Sequence, residues 1–502
     1  MAQLIIIIEE IIALMDPWVL LALSLSTCLG IVVGVLPGLT ATMGLALLTG
    51  LTFNLDTHIA IPVLMGMYVG AMYGGSITGI LINIPGHGAA AASVLDGYPL
   101  AQRGEALPAL WLTRIGSVIG TLFGMLCLAF FSPLLSRVAE NFSSPEYFLL
   151  GLFGIVVCGS LSSPDKPIKG WIAGMLGMMV AFVGIEEIYG FRRFTFDNPR
   201  LVGGIPLIPA MIGLFGIPQI ITTLRGDGKY SAIDLNKNKN TFRIIREQLR
   251  KNIYNILRSG ALGVGVGTIP GAGEDISAWM AYDRAKKGSK TPEQFGKGSY
   301  EGVIAAETAN SSAIGGNIIP LLNLAVPGSA PTAVLLGALM LHNIRPGPAL
   351  MLHNPRFVFT MTAILFLAAI ALFIFGVLLS SAMVKILKIP SALLLPIVGV
   401  LCVIGAYAIS INTFDITIML IFGIAGYFLS GMGYPPAPMI LGIILGGMVD
   451  TNMRRMLLRF DGNPLEMLTM PICIVFIVLI LFSILSQFPF WKKMTQRLRK
   501  KQ

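Results

Sequence analysis

Several amide, hydroxyl and carboxyl groups of this sequence lie inside apolar segments, where each needs a partner or a function. Segment 303–341 carries Asn310, Ser311, Ser312, Asn317, Asn323 and Ser329, and Glu307 is its single charged residue. Asn and Ser donate N–H or O–H groups to carboxylates, and their oxygens also coordinate sodium. An unpaired amide in apolar surroundings is costly, so the asparagines favour a binding role. Any one Ser can instead bond to its own helix.

A second polar group lies in the first quarter of the chain. Thr40 follows the pair Pro37-Gly38, and Ser76 and Asn83 lie in "GGSITGILINIPG". We expect a carboxylate substrate to contact Thr40, Ser76, Asn83, Asn310, Ser311 and Ser329. A sodium ion is expected near Asn83 and Asn310, and no organic cofactor is indicated.

Three acidic residues are candidates for binding a coupling ion, either sodium or a proton. Glu274 and Asp275 directly follow the pair Pro270-Gly271, and acidic groups at membrane depth are functional candidates. Helix capping is the alternative role for both. Glu307 is the stronger candidate for a coupling carboxylate, although a structural bond to a neighbouring helix would also explain it. The predicted coupling set is Glu307, Asn310, Asn317 and Asp275.

Two basic side chains lie near these groups in sequence. His87, in "IPGHGAAAA", either contacts substrate or caps a helix. Arg114, in "LWLTRIGSVIG", can pair with a substrate carboxylate. Its position near the start of a helix favours instead a side chain that reaches the membrane surface.

The elements that must position these groups are interrupted in a repeated way. Residues 34–38 read "GVLPG", and "GTIPG" follows 233 positions later. A Gly-Gly pair then precedes "INIPG" (82–86) in the first case and "LAVPG" (324–328) in the second, at offsets of 241 and 242. Such breaks create helix N-termini inside the membrane, where free N–H groups face anionic substrate groups. We therefore add Pro37, Gly38, Gly86, His87, Gly271 and Gly328 to the predicted substrate site.

Composition indicates an all-α polytopic membrane protein. The 502 residues are 55% hydrophobic and 12% charged, well below the charge content of soluble domains. Apolar stretches of about 20 residues recur, and we expect eleven to twelve transmembrane segments including the broken ones. The net charge of +10 comes from short loops and the C-terminus, which indicates positive-inside topology rather than nucleic-acid binding.

The basic loops predict the domain organisation. Basic clusters flank residues 259–283 on both sides, so a single crossing would leave one cluster outside, whereas a re-entrant hairpin would not. Residues 17–53 form the corresponding hairpin from the opposite face. The prediction is a first inverted repeat (1–224, broken near 85), a cytoplasmic basic loop (225–258), a second repeat (259–489, broken near 327) and a basic cytoplasmic tail (490–502). In this scheme the arginines around 190–200 and 452–460 would lie in periplasmic loops, which contradicts the positive-inside rule.

The sequence resembles the large permease subunit of the tripartite tricarboxylate transporters over nearly its whole length. The resemblance rests on "YVGAMYGGSITGILINIPG", "LDGYPLAQRG", "RFTFD", "GTIPGAG", "FGKGSYEGVIAAETAN", "PLLNLAVPGSAPTAVLLGALMLHNIRPGP" and "TFDITIML". The motif positions correspond here to Pro37, Gly38, Gly74, Gly75, Asn83, Pro85, Gly86, Pro270, Gly271, Glu307, Asn310, Pro327 and Gly328. His87, Ala306 and the pair Glu274-Asp275 depart from the family pattern, where Asp, Pro and small residues are frequent.

The resemblance implies secondary active, ion-gradient-coupled import of citrate-like tricarboxylates or of dicarboxylates across a bacterial inner membrane. Its implied partners are a small membrane subunit with about four helices and a periplasmic solute-binding protein. The sequence has no GxxxxGK[ST] loop for an ATP-driven pump and no HExxH, GxSxG or GxGD motif for an enzyme. A passive anion channel or a non-transporting membrane scaffold remains the alternative.

Overall fold

The computed structural model describes residues 2–36, 38–163, 166–224, 241–380, 382–383 and 391–487. Pro37, residues 225–240 of the predicted basic loop and the predicted tail 490–502 lie outside the described residues. The described chain is almost wholly helical, as the composition predicts.

The helices before residue 225 are α1 (Ala2–Ala13), α2 (Pro17–Val35), α3 (Ala41–Thr52), α4 (Thr57–Ile82), α5 (Gly88–Leu100), α6 (Ala106–Ala139), α7 (Ser144–Ser162), α8 (Pro167–Ala181) and α9 (Leu207–Leu224). After residue 240 come α10 (Thr241–Lys251), α11 (Ile253–Gly267), α12 (Gly273–Gly288), α13 (Tyr300–Leu324), α14 (Ala330–Leu341), α15 (Pro348–His353), α16 (Arg356–Leu378), α17 (Ser391–Ser410), α18 (Thr413–Gly431), α19 (Pro436–Arg459) and α20 (Pro471–Leu485). A π-helical turn, Ala101–Glu105, joins α5 to α6, and short 3-10 turns occupy Pro199–Leu201, Pro292–Gln294 and Pro464–Thr469.

Six helical stretches of the described chain are long and apolar enough to cross a membrane: Pro17–Val35, Thr57–Ile82, Gly88–Ala139, Ser144–Ser162, Arg356–Leu378 and Thr413–Gly431. Further apolar helices have 10–17 residues. The protein is therefore a multi-pass α-helical membrane protein. The larger number of segments predicted from the sequence also counts these shorter helices.

Two groups of four helices have matching breaks. We call α2–α5 the first copy and α11–α14 the second copy. Gly38 and Gly271, in the loops after α2 and α11, both have positive φ, 90° and 77°. The helices α4 and α13 both end in a left-handed residue, Asn83 and Ala325, with φ of 60° and 57°. The backbone therefore repeats its local geometry at corresponding positions of the two copies.

Helix contacts repeat in the same way. A Cβ added to Gly34 of α2 would lie 2.3 Å from the Ala71 carbonyl of α4, and one added to Gly267 of α11 would lie 2.8 Å from the Ala313 carbonyl of α13. Only glycine permits so close an approach of two helix backbones. The first helix of each copy, α2 or α11, thus packs against the long third helix, α4 or α13, through glycines at corresponding positions. The second copy begins at Ile253, inside residues 225–258, which the sequence predicted to be a basic loop.

Helix α5 of the first copy is attached to the second copy. It packs against α12 and α13. Near its C-terminal end, the buried Asp96 carboxylate accepts three backbone N–H groups, from Gly296, Gly298 and Ser299, at 2.8–2.9 Å. Helix α14 of the second copy packs in turn against α3. Each copy therefore contributes one helix to the other.

A two-stranded hairpin connects α8 to α9. Strands β1 (Gly184–Ile185) and β2 (Arg192–Arg193) pair antiparallel, with Gly184 opposite Arg193. Arg193 and Arg454 bind the Asp450 carboxylate at 2.7 and 3.1 Å. These two arginines, which contradict the charge rule in the predicted topology, therefore have an acidic partner that offsets their positive charge.

Candidate substrate and ion site

The N-termini of four helices from the two copies meet at one cavity of about 360 Å³, which the start of α19 also reaches. Its lining includes the first residues of α3, α5, α12 and α14, together with Met72, Cys158, Leu161 and Phe215. Helix N-termini carry partial positive charge and unpaired N–H groups, so they bind anions. The described lining contains no Lys or Arg. Helix N-termini and hydroxyl groups are therefore the anion-binding features of the described lining, which also contains the carboxyl groups of Glu274 and Asp275.

His87 and Ser329 begin equivalent helices at the cavity. The His87 Nδ1 accepts the Ala90 N–H at 3.3 Å, and the Ser329 hydroxyl accepts the Thr332 N–H at 3.4 Å. The other ring nitrogen of His87 lies 2.7 Å from the Met72 carbonyl oxygen. Since Nδ1 accepts, Nε2 must carry the proton, and the ring is neutral in this arrangement. His87 thus caps α5, the second of the two roles considered for it.

Asp275 crosses from the second copy to the first. Its Oδ1 accepts the Ala89 N–H at the start of α5 at 2.7 Å, and its side chain is otherwise exposed to the cavity. The carboxylate therefore occupies one of the positions at which a substrate anion would bind a helix end. It caps the N-terminus of a helix in the other copy, rather than that of its own helix.

Glu274 of α12 is buried in a polar cluster that joins its helix to three others. Its Oε1 accepts from the Tyr68 hydroxyl, from Asn317 Nδ2 at 2.7 Å and from the Ser329 hydroxyl at 3.2 Å. Tyr68 belongs to α4 and Asn317 to α13, while Ser329 precedes α14. Glu274 is 3% exposed. Three donor groups thus converge on one carboxyl oxygen and connect α12 to α4, α13 and the start of α14.

Glu307 forms a second buried carboxylate site, on α13. It accepts from the Ser93 hydroxyl of α5 and from the Ser117 hydroxyl of α6 at 3.2 Å. Glu307 and Asn310 are fully buried. The Ser76 hydroxyl and the Asn310 amide also lie beside the Glu307 carboxyl group, although neither makes a well-aligned hydrogen bond among the described residues. Four polar side chains, Ser76, Ser93, Ser117 and Asn310, therefore surround the buried carboxyl group of Glu307.

Comparison with known proteins gives the context of this arrangement. The model of the tripartite tricarboxylate transporter TctA family matches residues 20–441. This chain belongs to the TctA family. An uncharacterised 52.8 kDa protein of Agrobacterium vitis, from the TAR-I ttuC' 3' region, is 35% identical over 444 residues, 88% of each chain. An uncharacterised protein from the TAR-II ttuC' 3' region of the same organism is 34% identical over 207 residues, 41% of this chain and 86% of the relative. No solved structure matches the chain.

Five of the residues predicted from the sequence line the cavity of this TctA-family protein: Thr40, His87, Gly271, Asp275 and Ser329. Thr40 caps α3 by accepting the Met43 N–H at 3.3 Å. Gly86 and Gly328 lie immediately before the cavity-lining residues His87 and Ser329. Gly38 lies in the loop before α3, and Pro37 is outside the described residues.

The remaining predicted residues of this TctA-family protein lie elsewhere. Asn83 is exposed at the end of α4, whereas Asn310 is buried within α13, so the two amides predicted to share a sodium ion have different surroundings. A Cβ on Gly120 of α6 would lie 3.0 Å from the Ser311 Cβ, which places Ser311 at the contact between α13 and α6. Ser76 and Glu307 belong to the second buried site.

Arg114 departs from its predicted orientation. It is 1% exposed rather than directed to the membrane surface. Its guanidinium group donates to the Tyr73 hydroxyl at 3.2 Å, to Ser380 at 2.6 Å and to the Gly376 carbonyl. The prediction of a surface-reaching side chain is wrong because α16 covers this face of α6.

The sequence analysis did not identify three hydrogen-bond partners of the buried Glu274 and Glu307: Tyr68, Ser93 and Ser117. Tyr68 lies within the motif "YVGAMYGG" that carries the family resemblance, which is the one signal that pointed to it. Ser93 and Ser117 lie in stretches of small residues with no distinguishing pattern.

Proposed function

We propose that this TctA-family protein is the large permease subunit of an ion-gradient-coupled importer of organic carboxylates. The observation that carries the proposal is the convergence of four helix N-termini on one cavity between two copies with matching breaks. Helix ends replace fixed positive charge, so the site binds a carboxylate without holding it as tightly as a Lys or Arg would. A transporter must also release its substrate.

The proposed topology is an inverted repeat. The two copies enter the membrane from opposite faces as hairpins 17–53 and 259–283, with broken helices near 85 and 327, and eleven to twelve segments in all. The matched φ values at the breaks and the matched glycine contacts support a duplicated unit, and the basic clusters around 251 and 286 support a cytoplasmic face for the second hairpin. Bacterial inner-membrane localisation follows from the proposed partnership with a periplasmic protein.

The substrate class is citrate-like tricarboxylates or dicarboxylates. A cavity of about 360 Å³ has room for either. Asp275 already occupies one helix end, which adds negative charge where an anionic substrate would bind. Co-transport of cations offsets this repulsion, and Glu307, Asn310 and Asn317 are proposed to couple sodium or a proton to transport.

The proposed partners are a small membrane subunit of about four helices and a periplasmic solute-binding protein, which together would complete a tripartite system. The family name, tripartite tricarboxylate transporter, supports a multi-component assembly. The binding protein would deliver the carboxylate to the outer face, and the permease would provide the coupled path.

Reconstitution tests the proposal. Proteoliposomes with this chain, its small subunit and the binding protein would be assayed for uptake of labelled citrate, dicarboxylates and a neutral control sugar, under separate sodium and proton gradients. Uptake that requires one gradient and the binding protein supports a coupled importer. Equal flux in both directions without a gradient and without the binding protein would support a passive channel instead. The absence of flux for every carboxylate would support the non-transporting scaffold.

A further inference from the structure

Helix α10 packs against the rest of the protein through one apolar face. Ile245 is buried in a cluster with Leu112 of α6, Ile256 of α11 and Ile304 of α13. Helix α11 begins at Ile253, one residue after α10 ends, so α10 is joined directly to the first helix of the second copy. The four basic side chains and one acidic side chain of α10 leave a net charge of +3. A short helix with one apolar and one basic face is typical of the membrane surface.

Three arginines form a stripe along the outer face of α10. Arg243, Arg246 and Arg250 are all exposed, and at about 100° per residue they lie within about 60° of one another around the helix axis. Among the described residues no salt bridge includes any of the three. Glu247, the acidic residue of α10, pairs instead with Lys251 at 2.6 Å. The arginine stripe is therefore available to an anion from outside the described chain.

Aromatic contacts place the arginine stripe at the edge of the bilayer. Phe242 lies about 40° from Arg246 around the axis of α10 and is 76% exposed. Its ring centroid is 5.8 Å from that of Trp111, which in turn is 6.3 Å from that of Phe373. Phe373 is exposed on α16, one of the helices long enough to cross a membrane. Trp side chains concentrate where the membrane meets water, so this group of rings places the stripe beside the lipid headgroups.

The corresponding helix of the first copy has its charges paired within the protein. Helix α1 precedes α2 and packs against α16, as α10 precedes α11 and packs against α6. Glu9 of α1 pairs with Arg356 at 3.3 Å, and Glu10 accepts from the Thr360 hydroxyl at 2.7 Å. Both partners belong to α16, the helix against which α1 packs. The unpaired charges are thus a feature of α10 itself, and its position in the repeat does not require them.

We propose that the arginine stripe of α10 binds the headgroups of anionic phospholipids in the surrounding leaflet. Guanidinium groups form paired hydrogen bonds with phosphate oxygens, and Phe242 enters the apolar region beneath the headgroups. Each basic residue beside an anionic membrane surface strengthens binding about fivefold. The bound lipid holds α10 on the membrane surface and, through Ile245, the adjoining parts of α6, α11 and α13. This inference goes beyond the proposed function, since it requires neither a substrate nor a coupling ion.

Lipid titration of the purified full chain in detergent, followed by native mass spectrometry, tests the site. Phosphatidylglycerol and phosphatidylcholine with the same acyl chains compare an anionic with a zwitterionic headgroup. The wild-type chain should bind phosphatidylglycerol at least tenfold more tightly. The triple variant with Gln at all three positions of the arginine stripe should bind the two lipids within about twofold of each other. The matched control, Arg284→Gln with Lys286→Gln and Lys290→Gln, removes the same charge from exposed positions in and after α12 and should keep the wild-type preference.

Several results would overturn the site. A wild-type chain without a preference for phosphatidylglycerol would leave the stripe to another partner, such as an acidic protein segment. An equal loss of preference in the triple variant and the α12 control would show attraction by net charge alone. Displacement of phosphatidylglycerol by an equal concentration of glycerol 1-phosphate would assign the stripe to a soluble phosphate. Should the triple variant not fold, Arg246→Gln is decisive, because it should weaken phosphatidylglycerol binding about fivefold and an unchanged affinity would refute the proposal.

Discussion

Two replacements of Glu274, by Ala and by Gln, distinguish the role of its oxygen as a hydrogen-bond acceptor from the role of its charge. In Glu274→Ala, three buried donors lose their shared acceptor: the hydroxyls of Tyr68 and Ser329 and the amide of Asn317. Each unsatisfied buried donor costs about 1–3 kcal/mol. Ser329 lies 3.4 Å from Tyr68 and 3.2 Å from Asn317, so part of the cluster can pair again. Summed over three donors the cost is about 3–9 kcal/mol, and because of this re-pairing we expect a net loss of about 3 kcal/mol.

Glu274→Gln keeps an oxygen in the same place. Its amide oxygen can accept from the same donors, and removing a buried charge also removes its desolvation cost, so we expect a change of no more than about 1 kcal/mol. For a chain of this size, 1 kcal/mol corresponds to about 1–2 °C in Tm. The Ala variant should therefore melt about 3–6 °C below the wild type, and the Gln variant within about 2 °C of it.

Thermal unfolding in detergent, followed by fluorescence-detected size exclusion, measures this difference. Thr308→Val is the matched control, because the Thr308 hydroxyl is buried without a partner in the described chain, and its removal should leave Tm unchanged or raise it. Equal Tm values for the Ala and Gln variants would refute the role of Glu274 as the acceptor that holds α4, α13 and the start of α14 together.

Three further predictions concern transport and packing. Asp275→Asn keeps an acceptor for the Ala89 N–H but removes negative charge from the cavity, so the KM for an anionic substrate should fall about threefold or more. Glu307→Gln should reduce gradient-driven uptake at least tenfold while substrate exchange persists, because the buried carboxylate is proposed to carry the coupling. Gly34→Ala places a Cβ 2.3 Å from the Ala71 carbonyl and should reduce folded protein severely.

The controls for these predictions come from the same chain. Gly265→Ala, on a helix face with no atom within 4 Å of the added Cβ, should fold normally beside Gly34→Ala. Ser117→Ala removes a partner of Glu307 without its charge and should retain coupled uptake. An unchanged KM in Asp275→Asn would show that the substrate does not approach that carboxylate, and loss of exchange together with uptake in Glu307→Gln would assign it a structural role.

Sequence patterns located the breaks of this fold because Pro and Gly act locally. Gly38, Gly271 and Gly328 stand where the backbone leaves helical geometry, and the order of the breaks repeats along the chain. Acidic residues after the second break were candidates for the same reason, since a carboxyl group in apolar surroundings is costly wherever it lies. Local chemistry was sufficient for both conclusions.

Local sequence patterns could not predict which side chains of distant helices bind each other. The bond from Tyr68 to Glu274 spans 206 positions, and that from Ser93 to Glu307 spans 214. Arg114 shows the same limit from the other side, because its sequence position near a helix start suggested a membrane-surface role. Only the packing of α16 over α6 shows that its guanidinium group is enclosed. Sequence spacing gives the face of a helix, but not which helix covers it.

The exchange of helices between the two copies bears on how such a protein can have arisen. Asp275 and the loop at 296–299 hold both ends of α5, so neither copy encloses its own polar groups. A single-copy ancestor would have exposed them to lipid unless it associated with a second, oppositely inserted molecule of itself. Under the proposed inverted topology, we expect separately expressed halves to regain stability only when both are present in the same membrane.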